Sequence, residues 1–265
     1  MKQFLKKCII GLGILFLAGC HSSQDKNVLK VGTISGPETE LVETAKDVAK
    51  KQFGLDVKII EFTDYLQPNA ALNEGSIDVN AFQHQPFLDQ QIKDKHYDLV
   101  TVGKTFLYPM GIYSEKIKNI HDLPAGSIVA LPNDTSNEGR ALLLLQKAKL
   151  IKLKKEAGIY ATPNDIIDNP KKLVFKELDA SQVARTLPDV TIALINTNYA
   201  VAAGLSPQKD AIFLEGKDSP YVNIIVVRRD EQNEPRIKQF IAAYQSDAVK
   251  NAAKQIFKGQ AIPAW

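Results

Sequence analysis

The chain has 265 residues, of which 33 are basic and 30 acidic, and its formal net charge is +3. The first nineteen residues carry Lys2, Lys6 and Lys7, so the remaining domain is formally neutral, which excludes a nucleic-acid or polyanion binder. Both cysteines, Cys8 and Cys20, lie near the N-terminus. The rest of the chain therefore has no disulfide, zinc site or cysteine nucleophile, and about 240 residues are enough to bury a core without them.

The N-terminus has the pattern of a secretory signal peptide. Lysines precede an uncharged apolar run from Cys8 to Leu17, and the sequence LAGC follows, ending at Cys20. The run is too short to span a bilayer, which needs about 20 residues. Because LAGC resembles a lipobox, we predict a signal peptide over residues 1–19, acylation of Cys20 and a polar tether over residues 20–27. An ordinary cleaved signal with a chance cysteine is the alternative.

Strands and helices alternate from residue 28 onward. The first half is predicted to contain a helix that Ser35 caps, with Pro37 in its first turn, and that ends at Gly54. The other elements predicted for this half are strands over residues 28–34, 55–62, 75–82, 99–102 and 109–114, and a short helix over residues 67–74.

The second half continues the alternation. A polar loop is predicted over residues 133–139, followed by a leucine-rich helix over residues 140–149. The other predicted elements are strands over residues 127–131, 173–178, 191–195, 211–214 and 222–228, a helix starting at residues 199–204, and helix from residue 232 to the end. This alternation predicts an α/β fold with mostly parallel sheets, whose ligands bind beyond the carboxyl ends of the strands.

Motifs of the common enzyme classes are absent from the sequence. It contains no nucleophile elbow, no zinc-protease motif and no phosphate-binding loop, and none of its four histidines pairs with another at ligand spacing. We therefore expect neither catalysis nor a cofactor nor a metal.

Polar and aromatic residues cluster where the predicted strands end. A zwitterionic amino acid needs a cation for its carboxylate, and Arg140 supplies a planar fork of donors at a predicted helix start. Its ammonium needs oxygen acceptors, which Asn196 and Asn223 offer. Aromatic rings pack well against an apolar side chain or a thioether. The candidate rings in this sequence are Tyr65, Phe82 and Tyr108.

Several longer motifs point to one family. They are NAFQH (80–84), TFLYP (105–109), PNDTSNEGR (132–140), LLLLQK (142–147), INTNYA (195–200), DSPYVN (218–223) and AYQSD (243–247). On these motifs residues 31–265 resemble the NlpA-type lipoproteins, which are methionine-binding receptors of ABC importers. The loop after the first strand, which begins at Ile34, departs from the usual family sequence.

The resemblance implies a two-lobed periplasmic-binding-protein fold of type II. One lobe comprises residues 28–114 and 224–265, the other comprises residues 115–223, and the ligand lies in the cleft between them. The implied ligand is methionine, L and possibly D, and the implied partner is the membrane permease. By resemblance Arg140 holds the carboxylate, and Asn196 and Asn223 hold the amino group. The side chain is enclosed by Tyr65, Phe82, His84 and Tyr108.

Other interpretations of the same residues stay open. Taken singly, Arg140 is also compatible with a solvated helix start, the asparagines with turns or caps, and the aromatic residues with plain core. An enzyme of the same shape would use His84 as a general base, but no second catalytic group is evident. Further alternatives are another small amino acid, a methionine-containing dipeptide, and a surface adhesin. We expect a monomer in the cell envelope, anchored to a membrane through Cys20 and facing the periplasm or the exterior.

Overall fold

The structure is a computed structural model, and it describes residues 28–265. The predicted signal peptide, the predicted acylation site Cys20 and the predicted tether lie outside the described residues. The strands in the described range are β1 Val28–Ile34, β2 Asp56–Phe62, β3 Val79–His84, β4 Leu99–Leu107, β5 Gly111–Tyr113, β6 Ile128–Pro132, β7 Lys152–Leu153, β8 Ile166–Asp168, β9 Val174–Leu178, β10 Ile192–Ile195, β11 Ala211–Leu214, β12 Val222–Arg228 and β13 Ile262–Pro263.

The helices confirm most of the predicted alternation. They are α1 Pro37–Phe53, α2 Gln67–Asn73, α3 Gln85–Lys95, α4 Thr135–Lys147, α5 Ala180–Val183, α6 Thr197–Ala202, α7 Pro207–Asp210, α8 Pro235–Tyr244 and α9 Asp247–Ile256. Helix α3 was not predicted. The predicted continuous C-terminal helix is instead two helices followed by β13. Within residues 28–265 no helix combines the length and apolarity that a membrane crossing requires.

Two mixed sheets form the frame of the molecule. The six-stranded first sheet has the order β13-β4-β12-β3-β1-β2, and the five-stranded second sheet has the order β11-β5-β10-β6-β9. Strand β1 runs parallel to β2 and β3, and β6 runs parallel to β9 and β10, but β12 and β5 run antiparallel to their neighbours. The prediction of mostly parallel sheets is therefore wrong, because β12 and β5 each return from the other half of the chain and the short β13 also pairs antiparallel with β4.

Each sheet buries its own apolar core. Leu29 and Val31 of β1 pack with Leu41 of α1 and Phe240 of α8 in the first core. The second core gathers around α4 and β10 and includes Leu142, Leu145 and Leu194. The two cores together give the domain its stability without disulfides.

Within residues 28–265 the chain crosses between the sheets twice, and the crossings lie side by side. Residues 108–110 connect β4 to β5, and residues 215–221 connect β11 to β12. Leu214 pairs with Gly111, and the backbone N–H of Glu215 donates to the carbonyl of Met110 at 2.9 Å. Strand β5 belongs to the second sheet, so the first crossing ends at residue 110, ahead of the predicted lobe boundary at residue 114.

Helix α1 follows its predicted course after a different start. Pro37 lies in its first turn, and Gly54 ends it in the left-handed conformation, with φ of 68°. The N-cap is Gly36 rather than the predicted Ser35, and no side chain caps the helix. The start of α1 thus leaves Glu38 in the first turn, directly beyond the carboxyl end of β1.

Helix α4 begins earlier than predicted, and the loop predicted over residues 133–139 is wrong. Asp134 is the N-cap, and its carboxylate accepts the backbone N–H of Asn137 at 3.0 Å. The polar residues that suggest a loop are the buried first turn of the helix. Arg140 is consequently the sixth residue of α4 and not its start. Gly139 allows this packing, because a Cβ there would lie 2.3 Å from the carbonyl oxygen of Ile159.

Candidate functional site

A cavity between the two sheets gathers all seven predicted site residues. The free volume inside it is small, about 20 Å³. The predicted residues that line it are Tyr65, Phe82, His84, Tyr108, Arg140, Asn196 and Asn223. The residues that were not predicted are Glu38, Gln83, Phe87, Asn137, Thr197 and Asn198. The roles of these residues in binding stay predictions.

Arg140 is buried at one end of the cavity and is already paired. Its Nη2 lies 2.5 Å from Glu215 Oε2, and its Nε lies 3.1 Å from Glu215 Oε1. Nη2 also donates to the carbonyl of Tyr108 at 2.8 Å, and the ring of Tyr221 lies 4.6 Å from the guanidinium carbon. Nη1 has no hydrogen-bond partner among residues 28–265, so it is the part of the guanidinium left for an anionic group.

Glu38 lies elsewhere on the cavity wall with one oxygen unused. The residue is 3% exposed, and Asn223 Nδ2 donates to Oε1 at 3.3 Å. Within the described residues Oε2 accepts no hydrogen bond. Burial raises the pKa of the Glu38 carboxyl well above its ordinary value, and the bond from Asn223 opposes that rise in part. A cationic donor in the cavity would supply the missing partner.

A chain of amides fixes which atom of Asn196 faces the cavity. The Asn137 amide nitrogen donates to the two oxygens of the Asp134 carboxylate, at 3.0 and 2.9 Å, so Asn137 Oδ1 is the atom left to act as an acceptor. Asn196 Nδ2 donates to that oxygen at 2.7 Å. Asn196 Oδ1 is consequently left over, and it has no partner in the described part of the chain. The cavity thus contains a second unused oxygen acceptor.

His84 is locked as a neutral ring. Its Nδ1 accepts the backbone N–H of Phe87 at 3.2 Å and caps α3, so the proton lies on Nε2, which is 3.3 Å from Asn137 Oδ1. Burial, and secondarily the charge of Arg140, lower the pKa of His84 to about 3. The ring of Tyr221 lies edge-on at 5.0 Å.

Aromatic rings form the apolar wall. Tyr65 lies 5.9 Å from Phe82 and 6.0 Å from Phe87, measured between ring centroids. The hydroxyl of Tyr65 donates to Asn198 Oδ1 at 2.7 Å, which joins the loop after β2 to α6. Such a wall accepts an unbranched apolar chain and excludes a charged one.

Two carboxyl groups were missed by the sequence analysis. Glu38 follows the carboxyl end of β1, where ligand-binding residues are expected. In the sequence, however, it has the pattern of an ordinary acidic residue in the first turn of a helix. Glu215 follows β11 and has no signal that separates it from a surface acid. Among residues 28–265 no group of three or more histidine, cysteine or acidic residues is placed to hold a metal ion.

Comparisons with known proteins identify relatives over nearly the whole chain. The profile of the NlpA lipoprotein family matches residues 29–265. The D-methionine-binding lipoprotein MetQ of Salmonella typhimurium is 54% identical over 257 residues, which cover 96% of this chain and 95% of that protein.

Solved structures extend the likeness to the fold. An ABC transporter periplasmic substrate-binding protein from Coxiella burnetii is 56% identical with a TM-score of 0.87, over 89% of this chain and 100% of that one. A nutrient-binding protein from Burkholderia cenocepacia, solved bound to methionine, is 52% identical with a TM-score of 0.88, over 89% and 100%. These matches confirm the predicted periplasmic-binding-protein fold, and the chain belongs to the NlpA lipoprotein family.

Proposed function

We propose that this lipoprotein captures methionine, L and possibly D, and delivers it to the permease of an ABC importer. The names of its relatives support methionine as the ligand, and the Coxiella burnetii structure supports an ABC transporter as the partner. The proposal requires a cavity that is complementary to a zwitterion with an apolar side chain.

The observation that carries the proposal is the set of unused polar atoms in one buried cavity. Arg140 uses Nε and Nη2 in its own hydrogen bonds, so Nη1 can donate to a carboxylate. Glu38 Oε2 and Asn196 Oδ1, which are buried and have no partner within residues 28–265, can accept from an ammonium group. Buried polar atoms without partners are costly, and a bound amino acid would satisfy both kinds at once. Asn223 supports the ammonium subsite by orienting Glu38, and the aromatic wall would hold the thioether chain.

Capture would occur by closure of two lobes on the ligand. Residues 28–114 with 224–265 form one proposed lobe, and residues 115–223 form the other. Hydrogen bonds that join these segments at the cavity include those from Tyr65 to Asn198 and between His84 and Asn137. Because the polar atoms for a ligand also come from both segments, ligand contacts would favour the closed arrangement.

Binding without turnover is the proposed activity. A general base needs a free lone pair within reach of its substrate. In His84 one nitrogen caps α3 and the other carries the proton, so the ring has no lone pair to offer. The relatives are substrate-binding proteins of transporters, which supports the same conclusion.

The cellular setting follows from the proposed anchor. Acylation of Cys20 would hold a monomeric receptor at a membrane, in the cell envelope, facing the periplasm or the exterior. Radiolabelled palmitate incorporation into the chain, and its loss in Cys20→Ala, would support this setting. A Cys20→Ala chain that still fractionates with membranes would contradict it.

Native mass spectrometry of the purified protein tests the ligand. We expect a bound mass equal to that of methionine, and calorimetry after unfolding and refolding should show tight binding of L-methionine. D-methionine, methionine-containing dipeptides and other small amino acids are the comparison ligands. Another amino acid or a dipeptide bound in preference to methionine would overturn the proposal, as would turnover of any of these ligands.

A further inference from the structure

Glu215 has an unusual position, because it is buried behind the cavity and beside the cation that lines it. Its side chain is 11% exposed and that of Arg140 is 4% exposed. The pair is therefore largely shielded from solvent. Shielded charges interact more strongly than charges at the surface do. The charge that the cavity presents at this end belongs to the pair and not to Arg140 alone.

The carboxylate of Glu215 is fixed in place by groups other than Arg140. The backbone N–H of Met110 donates to Oε2 at 3.0 Å, and the hydroxyl of Ser219 donates to Oε1 at 2.9 Å. These donors come from both crossings between the sheets. Glu215 is thereby prevented from turning away when a second anion approaches Arg140.

The guanidinium has little capacity left for that second anion. Nε and Nη2 are directed at Glu215 and at the Tyr108 carbonyl, so a ligand carboxylate reaches only Nη1. A bidentate contact that uses Nε and Nη2 is already taken. A ligand carboxylate here gains hydrogen bonds but meets a cation whose charge is already offset.

The remaining charges that face this subsite are few. Among the described residues that line the cavity, Arg140 is the one permanent cation, Glu38 is the acid, and His84 is neutral. Lys147 and Asp218 lie on the far side of Arg140, with side chains 54% and 87% exposed, and solvent screens them. Glu215 is thus the group that sets the charge balance at Arg140.

We propose that Glu215 is a specificity-determining residue that offsets Arg140, so that the cavity retains zwitterionic ligands and rejects acids of the same shape that lack an amino group. A zwitterion brings its own cation for Glu38 and Asn196, whereas an amino-free acid adds a second anion beside Glu215 with nothing to balance it. This inference rests on the proposed binding of methionine.

The test compares three ligands of similar shape and different charge by calorimetric competition. They are methionine, the acid left when methionine loses its amino group (methylthiobutanoate), and the amine left when it loses its carboxylate (methylthiopropylamine). We expect Glu215→Gln to improve binding of the acid relative to methionine by about tenfold or more and to weaken binding of the amine by a similar factor.

Three further variants separate charge from structure. Glu215→Ala removes the same charge and introduces no amide group. It takes the place of Glu215→Gln if the glutamine variant does not fold. Glu215→Asp keeps the charge and should keep the wild-type order of the ligands. Asp218→Asn makes the same charge change on the same crossing at an exposed position, and should leave the ligand ratios within about twofold.

The outcomes are distinct. An equal loss of affinity for all three ligands in Glu215→Gln and Glu215→Ala would overturn the inference, whereas the proposed function would stand as long as the wild-type protein binds methionine. A wild-type protein that binds none of the three would overturn the proposed function and this inference with it. A shift of the acid-to-methionine ratio in the charge-removing variants alone supports the inference.

Discussion

The two polar subsites of the cavity are built in opposite ways. At Arg140 the guanidinium already contacts Glu215, the Tyr108 carbonyl and the Tyr221 ring, and only Nη1 remains available to a ligand. At Glu38 the acid is held by a single bond from Asn223, and one oxygen is wholly unused. The first subsite is organised before a ligand arrives, whereas the second is completed by the ligand. Substitutions at the two ends should therefore differ in how they divide their effect between affinity and stability.

Loss of Arg140 should have the largest effect. Arg140→Ala removes the donor for the ligand and also leaves Glu215 as a buried anion without its partner, which costs about 3–5 kcal/mol. We expect methionine affinity to fall by more than about a hundredfold and the free energy of unfolding to fall as well. Calorimetry and chemical denaturation measure the two quantities. Lys147→Ala, on the exposed side of the same helix, is the control, and unchanged affinity in Arg140→Ala would refute the assigned subsite.

Loss of the Glu38 charge should lower affinity without lowering stability. Glu38→Gln keeps the shape and the bond to Asn223 but removes the charged acceptor for the ammonium group, for an expected loss of about tenfold to a hundredfold in affinity. Because burial already opposes the charge of this carboxyl in the empty cavity, the free energy of unfolding should stay level or rise. A fall in stability with intact binding would mean that Glu38 is structural. Glu40→Gln, on the same helix turn, is the matched control.

The pH dependence of binding should depend on the Glu38 end of the cavity. Burial raises the pKa of Glu38, so the empty cavity favours the protonated acid, whereas a bound ammonium favours the carboxylate. Binding then releases a proton, and affinity should rise with pH by up to about tenfold per unit between the two pKa values. Calorimetry in buffers of different ionisation enthalpy measures the release. It should vanish in Glu38→Gln and persist in Lys147→Ala.

The raised pKa of Glu38 should make the stability of the ligand-free protein fall as pH rises, whereas it makes the affinity for the ligand rise. A carboxyl whose pKa is raised by folding binds its proton more tightly in the folded state than in the unfolded state. Its contribution to stability is present below the unfolded value of about 4.3 and is lost as pH rises towards the folded value. Denaturation of the empty protein as a function of pH checks this, with Glu38→Gln showing a flatter curve.

The bond between Tyr65 and Asn198 should give the smallest effect. Tyr65→Phe removes one hydrogen bond between the proposed lobes and keeps the ring in the aromatic wall. Such a bond contributes about 1 kcal/mol, so we expect about a fivefold loss of affinity with little change in ligand preference. A change in preference instead would show that the hydroxyl contacts the ligand. Tyr97→Phe, a tyrosine outside the cavity, is the control.

Much of the site was predictable because strand ends are marked in sequence. Asn196, Asn223 and His84 follow or edge buried strands, and the alternation of elements brings such positions together. The early start of α4 was not predictable from polarity, since Asn137 is buried in the wall of the cavity and not by an apolar pattern. Glu215 was hidden for a related reason, because its partner lies 75 residues away in the chain.

His84 has a consequence for redesign of the pocket. Its ring ends β3, caps α3 through the backbone of Phe87 and donates to Asn137, so three elements depend on one imidazole. Replacing it to admit a different ligand would unsettle a helix start before it altered selectivity. Engineering of the side-chain pocket therefore has its adjustable positions at Phe82 and Phe87, while position 84 is part of the scaffold.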